Sequence, residues 1–447
     1  MAQSYWIETL GCPKNQVDSD KLTGTLTADG LEPADSPDDA DVVVINTCAF
    51  IEEARQESID TILAFDGGRK AGSRLVVTGC LAERYGDELS VALPEVDSVA
   101  PFGASLLADV AGEQAAGPDG PSTAVPVTLG ATKAARRSSF DLLELPRPAA
   151  SAPWAYVKVA EGCDRNCGFC AIPSFRGKQR SRSEQSILAE IEQLGVAEVV
   201  LVAQDLAAYG RDQGRGERRI VPLVRAAAEL VHRVRLLYLY PSDLDDELID
   251  TICDTGVPYF DLSLQHVSPP LMRRMRRWGD GTRFAERIEA IRAREPAATF
   301  RSNFIVGYPG ETEADHDLLL GFVEQARLDW CGFFAYSEEE GTHGATLDGK
   351  VPPGLRSERL AELRELQDRI TAESRAELVG ERLEVLVDDV GRGRSVREAP
   401  EIDGIITVDP TLEVGSLVTV TVEGAEGPDL HASAAPDANV SEVPVGG

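Results

Sequence analysis

The 447-residue chain lacks several features that would each assign it to a broad class of protein. No run approaches the ~18 consecutive apolar residues of a membrane-spanning helix, and the opening MAQSYWIETL lacks the basic and apolar regions of a signal peptide. Positive charge is scarce, since 44 Lys and Arg stand against 75 Asp and Glu, a formal net charge of −31. This balance disfavours a nucleic-acid partner and favours a basic protein partner. We expect a cytoplasmic protein. In that compartment thiols stay reduced, so the eight cysteines are better interpreted as metal ligands or catalytic thiols than as disulfides.

Apolar runs and composition divide the chain into domains. In residues 1–112, three apolar runs that alternate with helical periodicity predict a parallel α/β domain. Residues 113–150 are rich in Ala, Gly, Pro and Ser and predict a linker. Six more strand–helix repeats in residues 151–376 predict a partial (βα)6 barrel, short of a full TIM barrel. Short alternating runs in residues 377–425 predict a small antiparallel β-barrel, and residues 426–447 are predicted to be disordered.

Three cysteines form a C-x3-C-x2-C motif directly after the first predicted strand of the barrel. Cys163, Cys167 and Cys170 lie together in EGCDRNCGFCAIP. Thiolates select iron–sulfur clusters or zinc, and structural zinc needs a fourth ligand that this segment does not offer. Three thiolates on a four-iron cluster leave one iron open for reaction. Because (βα) enzymes place their chemistry at the carboxyl ends of strands, we predict a reactive cluster here rather than a zinc knuckle.

Three further cysteines lie at or near the ends of the apolar runs in the first domain. Cys12 ends SYWIETLGC, Cys48 lies in DVVVINTCAF and Cys80 ends SRLVVTGC. The carboxyl ends of parallel strands line one crevice, so three thiols could converge there as a second site. The alternative is three buried cysteines, since Cys is among the most buried residue types. Spacing alone leaves both interpretations open.

The cysteine motifs resemble those of a known enzyme family. C-x3-C-x2-C is the signature of radical S-adenosylmethionine (SAM) enzymes, and LGCPKNQVDSD, NTCAFIEEARQESID and VTGCLAERY resemble the N-terminal domain of the methylthiotransferases. The resemblance implies two [4Fe–4S] clusters, one on Cys12, Cys48 and Cys80 and one on the barrel motif. It further implies that SAM chelates the open iron of the barrel cluster and that the other cluster supplies sulfur. The β-rich end then corresponds to the family's TRAM domain.

Within that family, the chain resembles the RimO type, which modifies a ribosomal protein. The resembling segments are CPKN after Gly11, AFIEEARQESID after Cys48, and GRSVREAPEIDG near the C-terminus. Residues 377–447 carry fifteen acidic residues, four arginines and no lysine, a net charge of −11 that suits a basic protein better than RNA. The resemblance implies β-methylthiolation of an aspartate of small-subunit ribosomal protein S-twelve, with two SAM molecules consumed per product. The sequence identifies neither the sulfur donor nor the electron donor.

Two rival functions remain open at this point. The first is a tRNA adenosine methylthiotransferase with the same chemistry, against which the acidic C-terminal region counts. The second is an iron–sulfur or zinc binding protein without catalytic turnover. Cleavage of SAM would separate this second rival from both enzymes.

Four residues on or just after predicted strands are candidates for SAM contacts. Gln204 lies where many radical SAM enzymes carry a Gly-Gly-Glu that holds the methionine amino group, although this chain has Ala-Gln-Asp there. Arg301 on the fifth barrel strand and Gly307 just after it are further candidates, and the glycine could equally serve the turn. His266 ends the fourth strand, where it could bind SAM or substrate, or cap the following segment.

Two basic segments within the barrel region also have alternative interpretations. Residues 175–182 (FRGKQRSR) and 273–277 (RRMRR) could contact an acidic surface or ribosomal RNA. They could equally be solvated helix faces, or pair with the surplus carboxylates of the chain.

Overall fold

A computed structural model describes residues 3–102, 104, 141–435 and 440–442. These residues form two compact units, divided in sequence between Pro148 and Ala149. Residues 113–140 of the predicted linker lie outside the described ranges. The two units are described separately below.

A parallel sheet forms the centre of the first unit. Its strands are β1 (Ser4–Thr9), β2 (Glu32–Pro33), β3 (Val42–Thr47), β4 (Arg74–Gly79) and β5 (Ser98–Val99), and its helices are α1 (Pro13–Ala28), α2 (Glu52–Gly68) and α3 (Cys80–Ala92). The strand order is β2–β1–β3–β4–β5, and all neighbours run parallel. All six residues of β3 are buried, as expected for a central parallel strand covered on both faces. The predicted parallel α/β domain is confirmed.

The last part of the predicted linker is a folded part of this first unit. Leu142–Glu144 form one turn of 3-10 helix, and the side chains of Leu142 and Leu143 are buried. The buried ammonium of Lys21 donates hydrogen bonds of 2.9 Å to the carbonyls of Leu143 and Leu145. The prediction of a linker is wrong for this segment. Amino-acid composition could not show that Lys21, more than a hundred residues away, binds the carbonyls of this segment.

Alternating strands and helices form the larger part of the second unit. In chain order they are β6 (Trp154–Lys158), β7 (Ala160–Glu161), α4 (Ile172–Phe175), β8 (Arg180–Ser181), α5 (Glu184–Leu194), β9 (Glu198–Val202), α6 (Ile220–Ala228), β10 (Arg233–Leu236), α7 (Asp246–Asp254), β11 (Tyr259–Gln265), α8 (Pro269–Arg274), α9 (Gly281–Arg294), β12 (Thr299–Val306), α10 (Glu313–Ala326), β13 (Trp330–Ala335) and α11 (Pro353–Ala376). Strands β6, β9 and β10 form one parallel group and β11, β12 and β13 another. A parallel bridge between Leu239 and Leu262 joins the two groups. This is the predicted (βα)6 partial barrel.

The core of this barrel lies between its strands and the surrounding helices. Val199 and Leu201 of β9, for example, belong to the same buried apolar cluster as Ile187 and Ile191 of α5. None of the helices in the described ranges has both the length and the apolar content that a membrane crossing needs.

A second, smaller barrel follows. Its strands are β14 (Arg382–Asp389), β15 (Arg392–Arg394), β16 (Ile406–Thr407), β17 (Ser416–Glu426), β18 (Asp429–Ala434) and β19 (Val440–Glu442), in the order β14–β15–β16–β18–β17–β19. Pairing of β14 with β17 closes the barrel. All its pairings are antiparallel except that of β16 with β18, which is parallel.

The C-terminal boundary differs from the prediction, because β18 lies within the segment 426–447 that was expected to be disordered. β18 pairs with β17 through a tight turn in which Gly427 adopts a positive φ of 57°. Leu430 is fully buried in the barrel core. A single apolar anchor in the polar segment DLHASA is too weak a pattern to indicate a strand from sequence.

Buried charged residues join the small barrel to the amino-terminal end of the large one. Glu198, the first residue of β9, accepts hydrogen bonds from Arg235 at 2.7 Å and from Arg394 at 3.2 Å. Arg233, the first residue of β10, donates to the carbonyls of Arg394 and Glu384. Burial alone would raise the pKa of Glu198, but the neighbouring arginines outweigh it and lower the pKa to about 2. The two barrels therefore form one compact unit, where the sequence predicted separate domains.

Replacement of Glu198 by Gln should destabilise the second unit, because Arg235 and Arg394 would remain buried without a countercharge. Loss of one partner of a buried ion pair costs about 3 kcal/mol or more. Urea unfolding followed by tryptophan fluorescence reports mainly on this unit, because Trp154, Trp278 and Trp330 all lie in it.

The matched control is Glu229→Gln, which removes an exposed charge and should change stability by less than about 0.5 kcal/mol. Equal unfolding midpoints for the two variants would contradict a stabilising role for the buried cluster.

Candidate functional site

The three cysteines of the first unit lie at the same edge of its sheet. Cys12 is the N-cap of α1 after β1, Cys48 directly follows β3, and Cys80 directly follows β4. Because β1, β3 and β4 are parallel neighbours, their carboxyl ends place the three cysteines at one edge of the sheet. The backbone at Gly11, next to Cys12, lies close to the side chain of Cys48, since a Cβ added at Gly11 would lie 3.0 Å from Sγ of Cys48.

Asn15 connects the chain segments that carry these thiols. Its buried amide nitrogen donates to the carbonyls of Leu10 at 2.8 Å and Thr47 at 3.0 Å. Its backbone N–H donates to the carbonyl of Cys12 at 2.8 Å, and its Oδ1 lies 3.8 Å from Sγ of Cys80. One side chain therefore links the ends of three strands. Sequence reasoning did not single out Asn15; its one signal was its place in CPKN, three residues after the first cysteine.

The three cysteines of the second unit share one loop at the carboxyl end of β6 and β7. The N–H of Cys163 donates to the carbonyl of Gly177 at 3.1 Å, and the N–H of Cys170 donates to the carbonyl of Cys167 at 3.2 Å. All three side chains are partly exposed. The loop therefore presents its thiols at the end of the barrel where (βα) enzymes bind substrates.

The chemistry of this loop fits a cluster of several irons. Burial raises the pKa of Cys163 to about 11 and that of Cys170 to about 12, so metal binding must displace thiol protons. N–H groups of Arg165 and Arg277 donate to the sulfur atoms of Cys163 and Cys167, each at 3.4 Å. In the described part of the chain, no three Cys, His, Asp or Glu side chains converge on a single metal ion. A four-iron cluster instead binds each thiolate through a different iron, and N–H groups near its sulfurs are typical.

Gln204 lies just after β9 and offers an acceptor at the same end of the barrel. Its Nε2 donates to Glu161 at 2.7 Å, and Glu161 is held by ion pairs with Lys158 and Arg176. Burial alone would raise the pKa of Glu161, but Arg176 and Lys158 lower it to about 2. The Oε1 of Gln204 is buried and has no hydrogen-bond partner within the described ranges. This orphaned oxygen suits an ammonium group as ligand.

Arg165, inside the cysteine loop, binds two carboxylates that sequence reasoning missed. It pairs with Asp205 at 2.6 Å and with Asp243, and its guanidinium lies 3.8 Å from the ring centre of Tyr240. Asp205 follows β9 and Asp243 follows β10, so two further strand ends anchor the loop. Because Asp205 and Asp243 are far apart in sequence, their only signal was their position after predicted strands.

Arg301 and His266 both contact other parts of the fold, and for His266 this contact is the predicted cap of the following segment. Arg301 is the third residue of β12, towards the amino-terminal end of the barrel, and pairs with Asp261 at 3.1 Å and Asp403 at 3.5 Å. His266 is fully buried, and its Nδ1 accepts a hydrogen bond of 3.0 Å from the N–H of Ser268. No contact joins either residue to the cysteine loop in the described part of the chain. His266 follows β11 at the carboxyl end, as the sequence predicted, whereas the strand pattern did not show that Arg301 lies towards the amino-terminal end of β12.

Gly307 follows β12 at the carboxyl end of the barrel, where the turn itself requires glycine. Its φ is 82°, and an added Cβ would lie 2.3 Å from Cδ of Arg356. Its N–H donates to Glu311 at 2.6 Å. These contacts support the turn interpretation of this residue.

Both basic segments direct arginines into the barrel. In residues 175–182, Arg176 and Arg182 are buried in ion pairs with glutamates, which is the pairing with surplus carboxylates that the charge balance suggested. In residues 273–277, the guanidinium of Arg277 donates a hydrogen bond to Sγ of Cys167. These three arginines are therefore not available as a basic docking surface.

The chain matches three protein families. The uncharacterized protein family UPF0004 matches residues 4–101, the radical SAM superfamily matches residues 157–323, and the TRAM domain matches residues 379–434. The TRAM match extends beyond residue 425, in agreement with the position of β18.

Relatives cover almost the whole chain. A ribosomal protein uS12 methylthiotransferase RimO from Kineococcus radiotolerans is 42% identical over 96% of this chain and 97% of that protein. One from a Nocardioides species is 42% identical over 95% of each chain. Among solved structures, a radical SAM methyltransferase, TsrM from Kitasatospora setae, is similar in fold, with a TM-score of 0.54 at 13% identity over 82% of this chain and 89% of that one. The chain belongs to the RimO family of ribosomal protein uS12 methylthiotransferases, which are radical SAM enzymes.

Proposed function

We propose that this chain inserts a methylthio group at the β-carbon of an aspartate in ribosomal protein uS12. The proposal includes two [4Fe–4S] clusters, one on Cys12, Cys48 and Cys80 and the other on the cysteine loop of the barrel. The observation that carries it is the presence of two separate three-thiol sites, each at the carboxyl edge of a parallel sheet, in a chain that is 42% identical to RimO relatives. We place the reaction in the cytoplasm, where thiols stay reduced.

The target bond explains why such cofactors are needed. The Cβ–H bond of an aspartate is strong and not acidic enough for removal by an ordinary base, whereas a primary carbon radical can abstract its hydrogen. A cluster held by Cys163, Cys167 and Cys170 would supply the electron that splits SAM into methionine and a 5′-deoxyadenosyl radical, and one held by Cys12, Cys48 and Cys80 would supply sulfur. A second SAM provides the methyl group. The protein contributes positioning and the exclusion of water and oxygen.

Gln204 remains our candidate for the SAM amino group. Its buried Oε1 needs a donor, and its Nε2 is fixed by Glu161, so the acceptor is held at the carboxyl end of β9. Asp205 has a second buried carboxylate oxygen, Oδ1, without a partner in the described ranges. Each of these unsatisfied acceptors could take a hydrogen bond from an ammonium group. Arg301 loses support as a SAM ligand because its guanidinium pairs with Asp261 and Asp403, whereas His266 stays a candidate because its buried Nε2 has no hydrogen-bond partner in the described ranges.

Asn15 has a positioning role in the proposed sulfur site. Its contacts to the chain around all three thiols hold three strand ends in one arrangement before any metal binds. A preformed arrangement reduces the ordering cost of cluster binding, as partners behind metal ligands commonly do.

The surface of the TRAM barrel favours a basic protein as substrate. Among its described side chains, eight acidic ones are exposed, namely Glu381, Glu384, Asp389, Glu401, Asp409, Glu413, Glu423 and Glu426. Arg382 and Arg392 are exposed, whereas the guanidinium groups of Arg394 and Arg397 contact Glu198 and Thr299 of the larger barrel. Such a surface attracts a basic ribosomal protein and repels phosphates. It weighs against a tRNA substrate.

Alanine variants of the two cysteine sets should separate the two proposed clusters. Replacement of Cys163, Cys167 and Cys170 should remove about half of the reconstituted iron and abolish SAM cleavage. Replacement of Cys12, Cys48 and Cys80 should also remove about half of the iron but leave SAM cleavage to 5′-deoxyadenosine measurable. Full iron content in the second variant would exclude a cluster in the first unit. If the unchanged chain cleaved no SAM under anaerobic reducing conditions, the result would support the rival interpretation of a metal-binding protein without catalytic turnover.

Asn15→Ala should weaken iron binding at the first unit by about 10- to 100-fold, the usual cost of losing a partner behind a metal ligand. The measurement is competition with an iron chelator in a chain whose barrel cysteines are alanine. Gln16→Ala is the matched control, because Gln16 is exposed and its amide contacts only Asp20 among the described residues. Equal iron affinity in the two variants would contradict the role of Asn15.

An anaerobic competition between uS12 and bulk tRNA tests the substrate directly. With SAM and a reductant, mass spectrometry should find the methylthio group on an aspartate-bearing peptide of uS12 and none on nucleosides. Added salt should raise the KM for uS12, because salt screens the attraction between exposed charges. The rate of SAM cleavage measured without uS12 should not change with salt. Modified nucleosides with unmodified uS12 would assign the chain to the tRNA enzymes instead.

A further inference from the structure

Arg277 contacts the cysteine loop from a segment distant in sequence. It follows α8, and its Nη1 donates to Sγ of Cys167 at 3.4 Å while its Nη2 donates to the carbonyl of Ser263. The backbone around it contacts the same loop, because the carbonyl of Met275 accepts a hydrogen bond of 2.8 Å from the N–H of Gly168. Arg277 therefore has a defined position beside one cluster ligand.

The ring of Tyr240 fixes the orientation of this guanidinium. Arg277 lies 4.0 Å from the ring centre and Arg165 lies 3.8 Å from it. Two guanidinium groups therefore stack against this one ring. The hydroxyl of Tyr240 accepts a hydrogen bond of 3.4 Å from the N–H of Trp278. Stacking of this kind restricts an arginine that would otherwise sample many rotamers.

The two arginines on this ring differ in their countercharges. Arg165 is neutralised by Asp205 and Asp243. Arg277 has no ion pair with a carboxylate in the described part of the chain, and its Nε is buried without a hydrogen-bond partner there. A partly buried cation with an orphaned N–H is costly unless an anionic group lies beside it. A four-iron cluster on three thiolates is such a group, because it carries net negative charge.

We infer that Arg277 is a positioning residue that raises the reduction potential of the barrel cluster through its hydrogen bond to Cys167 and its uncompensated charge. The inference rests on the proposed function, since it presupposes a cluster on this loop. Reduction adds one negative charge to the cluster, and a nearby cation with an N–H on a ligand sulfur stabilises the reduced form more than the oxidised form. Hydrogen bonds to the sulfurs are among the factors that set such potentials.

A redox titration followed by electron paramagnetic resonance tests this inference. The full-length chain with Cys12, Cys48 and Cys80 changed to alanine gives the signal of one cluster only. In this background, Arg277→Gln should lower the ratio of reduced to oxidised cluster at a fixed potential about tenfold, as expected from loss of one charged hydrogen bond. For one electron this corresponds to a shift of about 59 mV to more negative potential.

Two further variants separate the contribution of Arg277 from general effects. Arg277→Lys keeps the charge without the planar group, so its potential should lie between those of Arg277→Gln and the parent chain. Arg273→Gln removes a charge from the same segment, but Arg273 is exposed. The reduction potential of the cluster in this variant should therefore equal that of the parent chain.

Three results would overturn the inference. They are an unchanged potential in Arg277→Gln, an equal shift in Arg273→Gln, and a full shift in Arg277→Lys despite the retained charge. Iron content measured on each sample distinguishes these results from failure of the proposed function. A parent chain that takes up no iron on this loop would refute the proposed function and this inference together.

Discussion

The common direction of the strands is the constraint on which both candidate sites depend. In a parallel sheet, every strand delivers the residue that follows it to the same edge. Cys12, Cys48 and Cys80 are separated by more than thirty residues in sequence, yet they meet because each follows a strand of one sheet. The barrel uses the same rule differently, with its three thiols in one loop and its anchoring carboxylates at the ends of neighbouring strands.

The distribution of arginine accounts for much of the character of the second unit. Arginines at the amino-terminal end of the barrel join the two barrels, as in the cluster around Glu198. Arginines at the carboxyl end hold the cysteine loop, as Arg165 and Arg277 do. The TRAM surface is acidic because that region carries fifteen acidic residues and only four arginines, two of which are turned inward.

The sequence predicted the strands, the partial barrel and the position of the cysteines, because apolar periodicity and the place of a residue after a strand are local patterns. It did not predict Asn15 or Arg277, whose roles depend on contacts between segments far apart in sequence. Arg301 illustrates a further limit, since a strand pattern shows that a residue faces the barrel but not that a carboxylate from another barrel pairs with it. β18 was missed because only Leu430 marks it as buried.

The most direct test of the account is an anomalous diffraction map recorded at the iron absorption edge from crystals of the anaerobically reconstituted chain. The account predicts two strong iron peaks, one beside Cys12, Cys48 and Cys80 and the other beside Cys163, Cys167 and Cys170. A single peak at the barrel loop would contradict the two-cluster account, since the thiols of the first unit would then be a buried structural group.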